Sequence, residues 1–548
     1  PTISSLAACN NLVVKDGATL TFDNSGSHTI HGNVFNIGTT NIKANNELTI
    51  TGSLYMLHHS YLNIRPLASL TIGTNLYTRI LGLDGTLTID SDNTGTGSLI
   101  VNGTATGDIT VERFLTADKW HYISGQSDIT NNFTVTMGFP DPGSQTASSF
   151  YRWDESFVTN ETPGTWIDIL NGPDGDGTDH EMNQTFVAGR GYAVTYASTD
   201  KTLSLTGAPY LEDKTITITN TTLSTNPGSN LVGNPFCSDI AINSIAHLTN
   251  NFITQNASLL HDNAQAVYFW GDTQEDYVTK NNTGDAVYTE PGQGFMIIAK
   301  NATAELQLNT AIRKHGTSTF YKNNQDTENL FIELLAVDNE NRINTTNVSF
   351  ILGMTVGLDP SYDAMKLKGN PNISLYTRLV EDNGADFAIQ ALNDMNIENY
   401  IIPVGIDVAE ETIIDFSISQ TNLDQNIYLE DRLLNTSTNL SIETYSANIN
   451  ESGIGRFFLH FAPVGINETE NIADPIQLYS HGNTITIINN NNLGGMVHVT
   501  NILGMEVANF KLNGNNTQKY ALIVSAGVYI VYTVIENGNI FSEKIIIK

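Results

Sequence analysis

The sequence predicts an all-β, multidomain protein: a right-handed β-helix-like solenoid first, tandem β-sandwich or jelly-roll-like domains next, and a compact β-unit at the C-terminus. Three observations carry this reading. Apolar residues make up 40 % of the 548 and charged residues only 15 %. With Gly, Asn and Thr abundant, that balance suits strands and turns better than helices, which favour Ala, Glu, Lys and Leu. A short phrase with two apolar residues around an outward one recurs through residues 12–112, and alternating apolar segments bounded by Gly, Asn and Asp follow it.

The phrases of the first region are "ATLTF" (18–22), "ELTI" (47–50), "SLTI" (69–72), "TLTI" (86–89) and "SLIV" (98–101). Residues two apart in a strand share a face, so Leu20 with Phe22, Leu48 with Ile50, Leu70 with Ile72 and Leu87 with Ile89 point inward together. Successive leucines are 28, 22, 17 and 12 residues apart. Such rungs fit a β-solenoid over 1–112, in which each coil buries its apolar face on the next. A meandering sandwich is the competing arrangement. By the same pattern Thr71 faces outward.

"GDITVERFLTADKWHYISGQ" (107–126) breaks the repeat and opens a new region, 113–325, that carries an internal duplication. "HYISG" (121–125) corresponds to "NLVGN" (230–234), "FYRWDE" (150–155) to "VYFWGD" (267–272), and "AGRGYAV" (188–194) to "PGQGFMI" (291–297). Two related β-units result, about 113–212 and 213–325. The G-x-G-aromatic phrase lacks the third glycine of a phosphate loop and precedes a strand, so close backbone approach is the better reason for its glycines. Residues 326–463 read as another antiparallel sandwich, and 464–475 as a polar linker. In 476–548 the apolar runs Val528–Ile535 and Ile540–Ile547 flank Glu536-Asn537-Gly538-Asn539, a hairpin signal.

Charge narrows the function. With 57 acidic and 25 basic residues the net charge is −32, which repels phosphate backbones and argues against nucleic-acid binding. No apolar run is long enough for a transmembrane segment. Cys9 and Cys237 are the only cysteines, so there is neither a disulfide framework nor a cysteine-based metal cluster. "LAAC" (6–9) mimics a lipidation box without a preceding hydrophobic segment, and the start at Pro1 suggests a processed N-terminus.

No catalytic constellation stands out. There is no G-x-S-x-G, and "HEMNQ" (180–184) lacks the second histidine of a zincin helix. His58 and His59 are adjacent in a strand-rich repeat, where neighbours face opposite sides. The chain is therefore not expected to be an enzyme, and no cofactor is required. The one candidate metal loop is "GPDGDGTDH" (172–180), where Asp174, Asp176, Thr178 and Asp179 place hard oxygen ligands between glycines, as Ca²⁺ demands. No acidic residue closes the loop, so a plain acidic turn competes. Trp120, Trp153, Trp166 and Trp270 all fall in the duplicated region. They are candidate stacking residues for a glycan, with core packing as the alternative.

Residues 476–548 resemble the type A C-terminal sorting domain of proteins exported by the type IX secretion system of Bacteroidetes. The matching phrases, in order, are "IQLYSHGNTITI" (476–487), "VHVTNILGMEVANF" (497–510), "SAGVYIVYTV" (525–534) and "SEKIIIK" (542–548). Gly504, Gly527, Tyr529 and Lys544 fall on the recurrent positions of that pattern. The resemblance implies a small immunoglobulin-like sandwich that engages the outer-membrane translocon, and hence a secreted or cell-surface protein. "NLVGNPF" (230–236), "YDAMKL" (362–367), "IYLED" (427–431) and "RFFLHF" (456–461) are similar in style to large surface proteins of the same bacteria. The expected role is structural or adhesive. A glycan-binding surface protein and a self-associating filament subunit are the alternatives, with a secreted hydrolase last.

Overall fold

A computed structural model describes the chain except for residues 1, 4, 6, 24, 81, 130–136, 138, 140–147, 160, 161, 171–184, 198, 222–225, 272–274, 317–328, 462–475, 482, 490, 491, 515, 516, 536–539 and 548. The protein is all-β, with 55 % of the described residues in strands and 3 % in helices. It divides into two compact units, Pro1–Thr327 and Glu328–Lys548.

The first unit opens with a β-solenoid of about 5 turns. Each coil gives one short strand to each of three parallel faces. The first face runs Thr2–Ile3, Thr19–Phe22, Thr39–Ile42, Tyr61–Ile64, Thr86–Ile89 and Ile109–Leu115. The second runs Ala8–Cys9, Ser27–Ile30, Glu47–Ile50, Ser69–Ile72 and Ser98–Val101. The third runs Leu12–Val14, Val34–Asn36, Leu54–Met56, Leu76–Tyr77 and Ala105–Thr106. Registers are in step, so like residues stack: Leu70 sits between Leu48 and Leu99, and Ile72 between Ile50 and Val101. Leu62, Ile64, Leu70, Ile72, Leu87 and Ile89 are essentially inaccessible. A four-residue rung with two inward aliphatics cannot hold itself together; stacking on its neighbours supplies the core.

The phrases that reveal the repeat belong to two faces. "TLTF" and "TLTI" lie on the first, "ELTI", "SLTI" and "SLIV" on the second, which is why their leucine spacing is irregular. On one face the step is even: Leu20, Thr40, Leu62, Leu87 and Ile109 occupy equivalent positions. "TTNI" (39–42) has Thr40 where its neighbours have an inward leucine, and "YLNI" (61–64) keeps Leu62 but has Asn63 in place of the outward threonine.

Two further corrections concern outward residues. Thr71 does face outward but is covered by His315, whose Nε2 lies 2.8 Å from its hydroxyl. His58 and His59 are both exposed in a turn at φ 53° and 58°, so strand alternation does not separate them.

Beyond the solenoid, two four-stranded sheets share one order. In the first, His121–Ile123, Tyr192–Thr195, Ser149–Thr159 and Thr162–Asp168 are successive neighbours; in the second, Ser229–Gly233, Gly294–Ile298, Val267–Gly271 and Asp276–Lys280. The flanking pairs correspond too. Ile109–Leu115 pairs with Lys201–Gly207, as Lys214–Thr219 does with Thr303–Leu308.

The second unit contains an eleven-stranded, mostly antiparallel sheet between Leu330–Asp338 and Gly453–His460. It encloses a core that includes Leu334, Phe350, Leu375, Val404, Phe416 and Phe457. Arg456 grips the fully buried Asp431 with Nε and Nη2 while Tyr445 donates its hydroxyl to the same carboxylate at 2.7 Å.

Residues 476–547 form a smaller two-sheet sandwich. Ile476–His481, Thr484–Asn489 and Thr517–Ala521 make one sheet; Gly494–Asn501, Glu506–Asn513, Gly527–Ile535 and Ile540–Ile547 make the other. Val497, Val499, Leu512, Val531 and Ile545 fill its own core. The last two strands pair antiparallel, Val534 against Ile540; residues 536–539 between them lie outside the described residues.

Candidate functional site

The tryptophans lead to the seam between the duplicated sheets. Trp153 pairs with Trp166 across neighbouring strands, and Trp270 pairs with Tyr277 at the equivalent place. Both pairs are edge-to-face, at 5.3 Å and 70° and at 5.4 Å and 88°. Tyr122 lies among Trp166, Trp270 and Tyr277 with centroids 6.0 to 6.3 Å away. Its hydroxyl is 2.9 Å from that of Tyr277, and burial raises the phenols of both. Trp153 donates its indole N–H to the carbonyl of Ser229 at 2.7 Å, tying one sheet to the other.

Three of the four tryptophans are thus brought together as half-buried seam residues, and their planes are steeply inclined. Each pair spends part of its ring surface on its cross-strand partner. Trp120 stands apart, 39 % exposed beside Tyr151 at 5.6 Å. It is the most exposed of the four tryptophans.

The glycines of the duplicated phrase build the seam. Gly189 and Gly292 have φ of 83° and 75°, a conformation that only glycine adopts at no cost. Each carbonyl accepts a hydrogen bond from the opposite half: Ser124 N to Gly292 O and Gly233 N to Gly189 O, both 2.9 Å. A Cβ on Gly191 would lie 2.6 Å from Leu231 Cγ, and one on Gly294 2.9 Å from the Ile123 carbonyl.

Sequence reasoning did not single out the buried charges. Arg113 and Glu290 form an ion pair of 2.7 Å with side chains 3 % and 5 % exposed, and the Thr96 hydroxyl joins the same carboxylate. Burial raises the Glu290 carboxyl, and Arg113 opposes this. Asp239, also buried, is raised well above the ordinary range, first by burial and then by the charge of Glu290; it accepts from Gly316 N at 2.6 Å. Residues far apart in sequence supply these groups, so no local motif announces them.

In the second unit a cavity of about 330 Å³ is lined by Lys368, Asn370, Ile373, Ser374 and Asp407 among others. Its charges are engaged with one another: Lys368 pairs with Asp386 and Asp407, and Tyr376 donates its hydroxyl to Asp407.

Asp174, Asp176, Thr178 and Asp179 lie outside the described residues, and so does any calcium loop they form. Among the described residues no cluster of three or more His, Cys, Asp or Glu could hold a metal ion. Cys9 and Cys237 are free thiols; Cys237 packs into the solenoid core, where burial pushes it up to about 12. No described helix is long and apolar enough to cross a membrane.

In the terminal sandwich Gly504 makes a turn at φ 79°. Gly527 opens the penultimate strand, and the buried Tyr529 donates its hydroxyl to Ser525 O at 2.7 Å. Lys544 is exposed on the last strand.

Comparison with known proteins is sparse. No curated protein matches the chain. Among solved structures, the 47-kilodalton lipoprotein Tp47 of Treponema pallidum aligns at 9 % identity over 78 % of this chain and 99 % of its own, with a TM-score of 0.12, too low for a shared fold. A family model described as "Domain of unknown function (DUF8693)" matches residues 39–461, from the solenoid to the final strand of the eleven-stranded sheet, and the chain belongs to that family.

Proposed function

We propose that the chain is a non-catalytic structural or adhesive protein of the outer cell surface or medium. Its residues 476–548 would serve as the export signal of a type IX secretion system. One observation carries this reading. The terminal sandwich has a complete core, yet Ile502, Leu503 and Met505 are 73 %, 87 % and 63 % exposed around its Gly504 turn, and Ile523 is fully exposed. Large apolar side chains gathered on a small, well-packed domain mark a surface that another protein covers. Ile502, Leu503 and Met505 fall within the "NILGMEV" phrase of the resemblance. The family match ends at 461, which also suits an attached module.

Fusing 462–548 to a reporter bearing an inner-membrane signal peptide tests the assignment in a type IX-competent host. The fusion should reach the surface or medium. A Leu503→Asp, Ile502→Asp variant should fold and stay in the periplasm. Export of the reporter without 462–548 would overturn the assignment. The candidate calcium loop is tested separately, by comparing melting temperatures in calcium and in chelator.

A further inference from the structure

We propose that the first face of the solenoid binds a neutral, extended polysaccharide; the inference rests on the adhesive reading and names its ligand class. Two rows of outward side chains cross the coils. One runs Thr21, Asn41, Asn63, Thr88, Thr110, and the other Thr19, Thr39, Tyr61, Thr86. Strands lie about 4.8 Å apart and alternate residues about 6.7 Å apart along each strand. Hydroxyls and amides therefore form a flat, nearly rectangular array.

Outward threonine alone is what strands prefer. Two features go beyond that preference. None of the nine residues is charged, in a chain whose net charge is −32. Charge resumes at the margin, where the second row ends at the exposed Asp108 in register with Thr86, Lys43 pairs with Asp23 and Arg65 with Asp90, both at 2.7 Å, and the adjoining face carries Glu47 in an outward position. In the middle of the uncharged rows stands Tyr61, 52 % exposed, an aromatic surface against which the C–H side of a pyranose can lie.

The array is also pre-ordered. Asn63 donates its amide to Asn41 at 2.9 Å, and the hydroxyls of Thr110 and Thr206 meet at 2.9 Å. Side chains already held by neighbours lose little freedom on binding. A neutral polysaccharide offers matching hydroxyls and escapes the repulsion that an anionic polymer would meet. The third face also carries aromatics, Phe35, Tyr55 and Tyr77, but these stack on one another at 4.8 and 4.9 Å, with planes within 11° of parallel, so their faces are largely covered.

The test uses the purified full chain in sedimentation assays with microcrystalline cellulose, curdlan and granular starch, and alginate gel as the anionic control. Binding to at least one neutral glucan and not to alginate is expected. Tyr61→Ala should weaken it roughly tenfold and Tyr61→Phe should largely retain it. Thr39→Asp with Thr86→Asp should abolish it at an unchanged melting temperature, and Trp120→Ala should leave it intact. Failure to bind all three glucans, or full binding by both Tyr61→Ala and the double aspartate variant, would overturn the proposal. Loss in Trp120→Ala alone would move the site to the Trp120–Tyr151 pair and equally overturn it. Secretion of the full chain, scored independently, separates failure of this site from failure of the export reading.

Discussion

The Nε2 atom of His315 lies 2.8 Å from the hydroxyl oxygen of Thr71, a residue 244 positions earlier in the sequence, and its Nδ1 lies 2.8 Å from the hydroxyl of Ser98. A neutral imidazole has one donor and one acceptor, and two hydroxyls can complement both. The ring therefore fastens the segment after Arg313 to the second face of the solenoid without needing a charge.

That fastening should fail in acid. Burial pushes His315 down from 6.5 to about 4, with only a weaker opposing pull from Glu47. Between those pH values the unfolded chain takes a proton that the folded chain refuses, so stability falls as pH drops through the window, by at most about 3 kcal/mol. Asp239, raised by burial, has the opposite dependence. The difference between wild type and His315→Gln in denaturant titrations at pH 7 and pH 4.5 isolates the histidine. An equal slope in both proteins would refute the assignment.

Leu70 and Ile72 test the stacked core. An aspartate at either place buries a charge among stacked aliphatics and should cost about 4 kcal/mol or more locally. Thr49→Asp, one coil earlier in the same outward row, should change stability by about 0.5 kcal/mol or less. Thr71→Asp sets a carboxylate against His315 and should raise the pH at which that imidazole becomes charged. Limited proteolysis and histidine NMR titration distinguish the three outcomes.

The Arg113–Glu290 pair should show the asymmetry of buried ion pairs. Arg113→Met alone leaves a carboxylate in a nearly dry site and should cost about 3–5 kcal/mol. Adding Glu290→Leu should recover much of the loss, because the double variant removes both desolvation penalties. Urea unfolding of the two variants is the measurement; a double variant no better than the single one would contradict it.

Gly191→Ala and Gly294→Ala should act alike, since each Cβ would strike the opposite half. A loss of more than about 1 kcal/mol is expected for each. Sensitivity at only one site would mean that the halves do not meet as equivalents.

The all-β class and the solenoid were legible because alternation is a local signal: Leu70, Thr71 and Ile72 declare their faces within one strand. The Gly-x-Gly phrases stand out in the sequence because they encode a backbone geometry that few residues can adopt, and they fall beside the second strand of each of the two like-ordered sheets. What the sequence hid is non-local. Nothing near Thr71 foretells His315, and nothing near Arg113 foretells Glu290. The rungs "TTNI" and "YLNI" escaped because Thr40 replaces an inward leucine and Asn41 and Asn63 replace outward threonines. The tryptophans attracted notice as a possible platform, whereas cross-strand pairing with Trp166 and Tyr277 turns Trp153 and Trp270 into a seam.

The reciprocal hydrogen bonds at Gly189 and Gly292 constrain which substitutions the two halves can accept. Each half gives the other the same contact, as the subunits of a twofold-symmetric pair do. Ser124 and Gly233 face each other across this contact: a Cβ on Gly233 would come within 2.4 Å of the Cβ of Ser124, so at most one of the two positions can carry a side chain. The two halves therefore cannot change independently at this contact.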